Sequence, residues 1–176
     1  MEEKFLPLVC EVADIIQIGA RNMQNFPFLT EVAKTKKPIM LKRHFGASLR
    51  DLLGAAEYIL VEGNKNLLLC ERGVVVPHTH LSSSRYLLDI TAIIALKEYT
   101  HLPIISDPSH ASFYAPWVPD LTMASIAAGA DGIMLEVHPD PKNAKVDSLQ
   151  TLDFKQFEKL ILKIRKISKF FNKRAV

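Results

Sequence analysis

The sequence feature that most constrains the fold is a unit that recurs five times along the chain. Each unit contains a short apolar run, then charged residues, then a segment in which apolar residues have helical spacing. Strands that alternate with helices favour a parallel sheet with right-handed crossovers, and continuous apolar runs are typical of its buried strands. The five strands are predicted at residues 14–20, 38–41, 67–70, 103–106 and 133–135.

The segments between the strands are predicted to be helices because their apolar residues recur at intervals of three and four. Ser48 is a typical N-cap for the helix that follows it, and Gly129 is expected to end a helix in the left-handed conformation. The longest predicted loop, residues 74–84, contains His78 and His80, which we expect to be surface or loop residues. The predicted helices are residues 1–13 (the end of a helix), about 27–34, 49–60, 86–99, about 119–128 and 154–171.

Composition indicates one compact domain over residues 1–176. Hydrophobic residues make up 48% of the chain and charged residues 23%, and this length supports one hydrophobic core but is short for two. The formal net charge of +3 is too small to indicate a nucleic-acid partner, and no apolar run approaches the roughly 18 residues of a membrane span. The N-terminus lacks a signal-peptide hydrophobic region, and Cys10 and Cys70 are the only cysteines. We therefore expect a cytoplasmic protein with reduced thiols.

A residue suited to ligand binding follows each predicted strand. A single charged residue at such a position is more often exposed to solvent, but five of them at five strand ends favour a common site. Because parallel strands point the same way, their ends lie on one face, which holds the active site in both a (β/α)8 barrel and an open doubly wound sheet. The five residues are Arg21, Lys42, Arg72, His110 and Glu136.

The chemistry of these five residues divides into two groups. Arg21, Lys42 and Arg72 suit phosphate and carboxylate groups, because arginine offers a planar fork of donors and lysine a compact charge. His110, Glu136 and a further acidic residue form a mixed nitrogen and oxygen set that is typical of divalent metal sites. The sequence therefore predicts an anionic, phosphorylated substrate that is handled with a metal ion.

Five sequence strings, in order and in spacing, resemble the 3-deoxy-D-arabino-heptulosonate 7-phosphate (DAHP) synthase family over about residues 14–157. The resemblance implies a (β/α)8 TIM barrel of which this chain would contain strands four to eight. It also implies a metal-dependent aldol-type condensation of phosphoenolpyruvate with erythrose 4-phosphate, the first step of the shikimate pathway to aromatic amino acids. The strings are Ile-Gly-Ala-Arg-Asn-Met-Gln-Asn (18–25), Leu-Lys-Arg (41–43), Leu-Cys-Glu-Arg-Gly (69–73), Asp-Pro-Ser-His-Ala (107–111) and Leu-Glu-Val-His-Pro-Asp-Pro (135–141).

The resemblance assigns residues to substrate binding. It implies that Arg21, Lys42 and Arg72 contact phosphoenolpyruvate, and Arg43 is expected beside Lys42 in the same string. Lys42 is also expected to take part in catalysis. The sister enzyme that makes 3-deoxy-manno-octulosonate 8-phosphate shares the barrel and is the alternative enzyme, although the string that contains Arg21 is more similar to DAHP synthase.

The resemblance also assigns the metal ligands. It implies that His110, Glu136 and Asp147 bind a divalent metal, Mn²⁺, Fe²⁺, Zn²⁺ or Co²⁺, and that His110 takes part in catalysis. His138 follows Glu136 by two residues, so on a strand both side chains would point to one side. We favour acid–base catalysis or support of the ligands for His138, and we expect Asp107 to orient groups near His110.

The chain departs from the family pattern at several points. The resemblance begins at the fourth barrel strand, so we do not expect in this chain the first three strands, which in the family carry a cysteine metal ligand and a Lys-Pro-Arg-Thr substrate-binding string. The strings at 74–76 and 112–114 replace family strings that contain arginine. An open part of a barrel exposes two sheet edges, so three outcomes are considered. The chain is half of a split enzyme completed by an N-terminal chain, or a homo-oligomer, or an inactive homologue that binds phosphorylated anions or a partner chain.

Overall fold

The computed structural model describes residues 3–77 and 86–171, which form one α/β unit. Five parallel strands make a single sheet in the order β1-β2-β3-β4-β5, so each strand pairs with its neighbours in sequence. This order is what successive right-handed βαβ units produce. The strands are β1 (Ile16–Ile18), β2 (Ile39–Lys42), β3 (Leu67–Glu71), β4 (Ile104–Ser106) and β5 (Gly132–Ile133).

Seven α-helices connect or flank these strands in the described residues. They are α1 (Leu6–Val12), α2 (Phe26–Lys34), α3 (Leu49–Val61), α4 (Ile90–Tyr99), α5 (Pro108–Ser112), α6 (Val118–Ala127) and α7 (Phe154–Phe170). Short 3₁₀ turns precede α1, follow β1 and lie between α5 and α6 and after β5. None of the helices in this part of the chain has the length and apolar composition needed to cross a membrane.

Local sequence signals set several helix ends. The Ser48 hydroxyl accepts a hydrogen bond from the Asp51 amide (3.1 Å), and the Asp51 carboxylate accepts one from the Ser48 amide (2.9 Å). This reciprocal capping box satisfies two amides that the helix itself leaves without acceptors. Gly129 has a φ of +108°, which confirms the predicted left-handed end of α6.

The two faces of the sheet differ. One face packs against the helices, and its side chains are almost wholly buried: Ile16, Ile18, Ile39, Leu41, Leu67, Leu69 and Ile104. The opposite face is concave and forms an open hollow of about 410 Å³ lined by Ile15, Gln17, Met40, Leu68, Ile105, Ile133 and Met134. A face covered by helices and an apolar concave face are what part of a barrel wall presents.

The predicted helix over residues 86–99 is wrong at its start, because α4 begins at Ile90. The Asp89 side chain caps it by accepting a hydrogen bond from the Ala92 amide (2.9 Å). Leu87 instead forms an antiparallel bridge with Val74, with hydrogen bonds of 2.9 and 3.0 Å in the two directions. The apolar residues before Asp89 continue the helical pattern, so spacing alone extends the helix too far. Within the predicted loop, His78 and His80 lie outside the described residues.

The fifth strand is also shorter than its apolar run predicts. Residues 133–135 were expected to form it, but β5 ends at Ile133. The Met134 amide still reaches the Ser106 carbonyl (2.8 Å), whereas the Glu136 amide donates to the Ser109 hydroxyl (3.1 Å). A side chain thus replaces the next backbone acceptor, and the chain leaves the sheet before Glu136.

Candidate functional site

A cavity of about 420 Å³ lies at the carboxyl ends of the strands. Arg21, Lys42, Arg72, His110 and Asp147 contribute to its lining, and Glu136 lies beside His110. Arg21 is exposed in the turn after β1, whereas Lys42 and Arg72 are only 5% and 7% exposed. The structure therefore brings cations and candidate metal ligands from all five βα units to one place.

A buried carboxylate connects the two groups. Asp107 is fully buried at the start of α5, and its Oδ2 lies 2.5 Å from the Lys42 Nζ. The same carboxylate lies 2.8–3.0 Å from the His110 Nδ1 and accepts a bond from the His110 amide (3.1 Å). Burial opposes ionisation of Asp107, but the hydrogen bond from His110 and the charge of Lys42 outweigh it and hold its pKa below the usual value. Asp107 thus holds the His110 ring by Nδ1 and leaves Nε2 for a ligand.

His110, Glu136 and Asp147 form the candidate metal centre. The His110 Nε2 lies 3.4 Å from a Glu136 carboxylate oxygen and 3.8 Å from an Asp147 oxygen, and one ligand atom of each residue lies within 4.8 Å of the others. One imidazole nitrogen with two carboxylate oxygens suits a divalent transition metal, so these residues fit the ion that the sequence predicts.

The backbone around Asp147 supports its position in this group. Asp147 has a φ of +57°, in the left-handed region that aspartate tolerates better than most residues. Its carbonyl accepts a hydrogen bond from the Thr151 hydroxyl (2.7 Å). The Glu136 carbonyl is likewise held, by the Leu152 amide at 2.9 Å. The Thr151 hydroxyl and the Leu152 amide therefore hold the backbone carbonyls of two of the three candidate ligands.

Lys42 and Arg43 each pair with a carboxylate, whereas Arg72 pairs with none among the described residues. Its Nη2 donates to the His110 carbonyl (3.2 Å), and its Cζ lies 4.4 Å from the centre of the Tyr86 ring. The buried Nη1 has no hydrogen-bond acceptor among the described residues. Because a buried donor without an acceptor costs free energy, this group favours a ligand that carries acceptor oxygens.

Arg43 has a different environment from the other predicted substrate-binding residues. Its guanidinium binds the Glu71 carboxylate (2.9 Å), the Asp89 carboxylate (3.0 Å) and the Ala47 carbonyl (2.9 Å). It does not contribute to the described lining of the cavity. Burial raises the pKa of Glu71 although the Arg43 charge opposes the shift. The contacts of Arg43 are structural, and its contact with substrate stays a prediction.

His138 also lies outside the described cavity lining. Its Nδ1 is 2.8 Å from the Asp140 carbonyl oxygen and 3.0 Å from the Asp140 amide, within a turn. Glu136 and His138 lie beyond the end of β5, on either side of Val137, which forms an isolated parallel bridge with Leu152. The Asp140 backbone holds the His138 ring outside the described cavity lining, and a catalytic role for His138 stays a prediction.

The cavity also has an aromatic part that the sequence did not predict. Phe45, Tyr86 and Phe113 line it beside Arg72. Tyr86 was predicted to begin a helix, which would have directed it elsewhere. A signal for its true position was present in Asp89, because aspartate is a favoured N-cap and places the preceding residues outside the helix.

Comparison with known proteins decides the family. A profile of the DAHP synthetase I family matches residues 1–172. This chain belongs to that family. It is 45% identical over 166 residues to the phospho-2-dehydro-3-deoxyheptonate aldolase of Thermotoga maritima. The aligned residues make up 94% of this chain and 48% of that relative. It is 34% identical over 163 residues to a 2-dehydro-3-deoxyphosphooctonate aldolase of Desulfosudis oleivorans, covering 86% of this chain and 56% of that relative.

Solved structures of DAHP synthases have the same fold as this chain. The crystal structure of the Thermotoga maritima aldolase superposes with a TM-score of 0.94 and 42% identity, over 100% of this chain and 51% of the other. A truncated form of the synthase from the same organism gives the same TM-score and is covered to 66%. The predicted family and α/β fold are confirmed. The chain spans about half the length of the curated relatives that it matches.

Proposed function

We propose that this chain is the C-terminal part of a metal-dependent DAHP synthase, which condenses phosphoenolpyruvate with erythrose 4-phosphate. The observation that carries the proposal is one cavity that joins Arg21, Lys42 and Arg72 to the group of His110 and Asp147. An anion site beside a metal site matches a reaction between two phosphorylated substrates, one of which has an aldehyde oxygen for a metal to polarise.

The cations would bind phosphoenolpyruvate. Arg72 offers planar donors to its carboxylate or phosphate, and Lys42 adds a charge that Asp107 holds in place. Fixing the substrate allows its methylene carbon, C3, to bond to the aldehyde carbon of erythrose 4-phosphate. A water oxygen adds to C2, and inorganic phosphate leaves from the same carbon. The products are the seven-carbon keto acid phosphate and phosphate, so the atoms of both substrates and one water are accounted for.

His110, Glu136 and Asp147 would hold the metal, which is proposed to be Mn²⁺, Fe²⁺, Zn²⁺ or Co²⁺. When bound, the ion supplies a Lewis acid for the aldehyde oxygen or for a water. Asp107 would accept a hydrogen bond from the Nδ1–H of His110, an arrangement that turns Nε2 toward the metal. His138 is proposed to move protons at the edge of the site, where the turn at Asp140 holds its ring.

The open sheet supports the proposal that additional strands are needed to complete the barrel. This chain covers 66% of the truncated Thermotoga maritima synthase, so about a third of that synthase has no counterpart in this chain. Large apolar side chains are exposed near the edge strand β1, including Val12 and Ile15, and others are exposed on α7, including Leu162 and Phe170. We propose that three strands, on an adjoining segment or a separate chain, cover the concave face and both edges. A cytoplasmic location, with Cys10 and Cys70 free, accompanies the proposal.

Phosphate release tests the reaction. The chain is mixed with phosphoenolpyruvate, erythrose 4-phosphate and Mn²⁺, alone and with a fragment that supplies the first three strands of the barrel. We expect turnover only with the fragment. No turnover under either condition, together with tight binding of phosphoenolpyruvate, would instead support an inactive homologue that binds phosphorylated anions. Size-exclusion chromatography of the chain alone tests the remaining alternative, closure by a second copy.

Metal titration tests the ligand set. His110→Ala and Asp147→Asn are expected to weaken Mn²⁺ affinity at least about tenfold, because each removes one donor. Asp140→Asn is the matched control, since Asp140 lies on the same loop outside the group of ligands. Equal affinity of His110→Ala and the unmodified chain would remove His110 from the metal site.

A second enzyme activity is favoured by one observation. A relative at 34% identity is a 2-dehydro-3-deoxyphosphooctonate aldolase, whose name indicates an eight-carbon sugar acid. Three of those carbons come from phosphoenolpyruvate if the reaction is of the same type, so the acceptor would be a five-carbon aldose phosphate. The two activities separate in the phosphate-release assay when four-carbon and five-carbon aldose phosphates are compared in the completed barrel.

A further inference from the structure

Within the described parts of the chain, Arg72 is held in the cavity without a carboxylate partner. Lys42 pairs with Asp107, and Arg43 pairs with Glu71, but in residues 3–77 and 86–171 no carboxylate pairs with Arg72. Its fixed contacts are one backbone carbonyl and the face of the Tyr86 ring, at 4.4 Å from the guanidinium carbon. An aromatic face attracts a guanidinium without carrying a net negative charge. The full positive charge of Arg72 therefore remains available to a ligand.

The backbone fixes the position of the Tyr86 ring. Tyr86 directly precedes Leu87, which is bridged to Val74 by two hydrogen bonds. The Val75 amide donates to the Phe45 carbonyl (2.7 Å), so the segment that holds Tyr86 is connected through Val74 and Val75 to the turn after β2. The ring centres of Phe45 and Phe113 lie 5.3 and 5.7 Å from that of Tyr86. Tyr86 is therefore part of a packed aromatic cluster.

Gly73 allows this close packing. Its φ is +93°, and a Cβ at this position would lie 2.9 Å from the Tyr86 Cβ and 3.0 Å from the Ala111 Cβ. Both distances are shorter than side-chain contacts in folded proteins normally are, and the conformation itself is one that favours glycine. Gly73 follows Arg72 directly, so the same residue that turns the chain after Arg72 makes room for the ring on which Arg72 rests.

We propose that Tyr86 is a positioning residue that holds the Arg72 guanidinium in the orientation that binds the anionic substrate. This inference rests on the proposed function, because it concerns how the anion site is formed. An arginine side chain has several rotatable bonds, and one hydrogen bond to the His110 carbonyl does not define its plane. The Tyr86 face restricts that plane before the ligand arrives, and a preorganised site binds more tightly than one that must become ordered.

Binding measurements on the full chain test the proposal. The probes are inorganic phosphate and phosphoenolpyruvate, measured by isothermal titration calorimetry. Tyr86→Leu removes the aromatic face and is expected to weaken binding of both probes about three- to thirty-fold, the range expected for a cation–π contact. Tyr86→Phe keeps the face and is expected to bind within about two-fold of the unmodified chain. Tyr58→Leu is the control. The Tyr58 ring stacks on that of Phe26, with 4.5 Å between the ring centres, and Tyr58 does not contribute to the described cavity lining.

Two further measurements separate positioning from a general loss of structure. In an Arg72→Gln background, Tyr86→Leu is expected to cause no additional loss of affinity, because Tyr86 acts through Arg72. The side-chain NMR signals of Arg72 are expected to show slow guanidinium rotation in the unmodified chain and in Tyr86→Phe, and faster rotation in Tyr86→Leu. These signals need no ligand, and thermal unfolding of each variant reports whether the fold is retained.

The outcomes distinguish this proposal from the one on which it rests. An unmodified chain that binds neither probe would refute the anion site itself. Binding that is insensitive to Tyr86→Leu, or weakened equally by Tyr86→Phe and Tyr86→Leu, would refute the role of the Tyr86 ring and leave the anion site standing. An additional loss in the Arg72→Gln background would show that Tyr86 acts directly on the ligand and would overturn the positioning role.

Discussion

Both faces of the sheet carry apolar residues, but the two faces differ in how far these residues are buried. On the helix-covered face, Ile18, Leu41 and Leu69 have no exposed surface, and each packs into one continuous core. On the concave face, the neighbouring residues Met40 and Leu68 line an open hollow of about 410 Å³. The first face is complete within this chain, whereas the second presents apolar surface to whatever covers it.

The strand ends repeat the contrast with charged groups. Arg43 and Arg72 follow adjacent strands and are 5% and 7% exposed. Arg43 binds two carboxylates and a carbonyl, and Arg72 keeps one donor without an acceptor in the described part of the chain. The difference teaches that burial alone does not identify a structural residue. Satisfied groups contribute to stability, and unsatisfied ones indicate where a ligand or further chain is expected.

The largest effect on stability is expected at Arg43, and the matched change at Arg72 is expected to have a much smaller effect. Arg43→Gln leaves Glu71 buried without its cation and is expected to lower the free energy of unfolding by about 3–5 kcal/mol. Arg72→Gln removes one hydrogen bond and no ion pair, so about 1 kcal/mol is expected. Urea unfolding followed by circular dichroism measures both values. Equal costs for the two variants would contradict the contrast between a structural arginine and a ligand-binding one.

The next effect compares two adjacent leucines on β3. Leu69→Ala empties a fully buried position and is expected to cost about 2–5 kcal/mol in free energy of unfolding. Leu68→Ala, on the concave face, is expected to cost less than about 2 kcal/mol in this chain because its side chain is only partly buried.

Addition of a fragment with the first three barrel strands sharpens this second comparison. If those strands cover the concave face, Leu68→Ala is expected to weaken association of the fragment, whereas Leu69→Ala acts mainly on the chain itself. A Leu68→Ala chain that associates as tightly as the unmodified one would show that the fragment does not pack on this hollow.

The parts of the fold that sequence predicted are those determined locally. Each strand is a short apolar run between turn residues, and Ser48 and Gly129 carry the signals for a helix start and a helix end. The predicted start of α4 was wrong because Leu87 forms a bridge with Val74, which lies in a different segment of the chain. Spacing within a segment contains no information about such a partner.

The candidate site was predictable to the same extent. The arrangement of Arg21, Lys42 and His110 at one cavity follows from parallel topology alone, so it required no knowledge of side-chain contacts. The partners of Arg43 did not follow from it. Asp89 lies 46 residues further along the chain, and only the tertiary structure brings its carboxylate to Arg43. The aromatic cluster of Tyr86 was missed for the same reason.

The two thiols provide a test of the core that changes no residue. Cys70 lies on β3 with no exposed surface, whereas Cys10 is partly buried on α1. Burial raises the pKa of the Cys70 thiol, so little thiolate forms in the folded chain. A thiol reagent at pH 8 is expected to label Cys10 rapidly and Cys70 only after unfolding. Rapid labelling of both would show that β3 opens without global unfolding.

The smallest expected effect is the pH dependence that Cys70 adds to stability. The folded chain keeps the Cys70 proton, while the unfolded chain releases it near the ordinary pKa of 9.0. The unfolded state therefore binds fewer protons above that pH, and stability falls by up to about 1.4 kcal/mol per pH unit. Urea unfolding of the unmodified chain is expected to lose about 1 kcal/mol more between pH 8 and pH 10 than that of Cys70→Ala. Cys10→Ala is the control and is expected to keep the full slope, and an identical slope in all three proteins would show that Cys70 loses its proton as readily in the folded state as in the unfolded one.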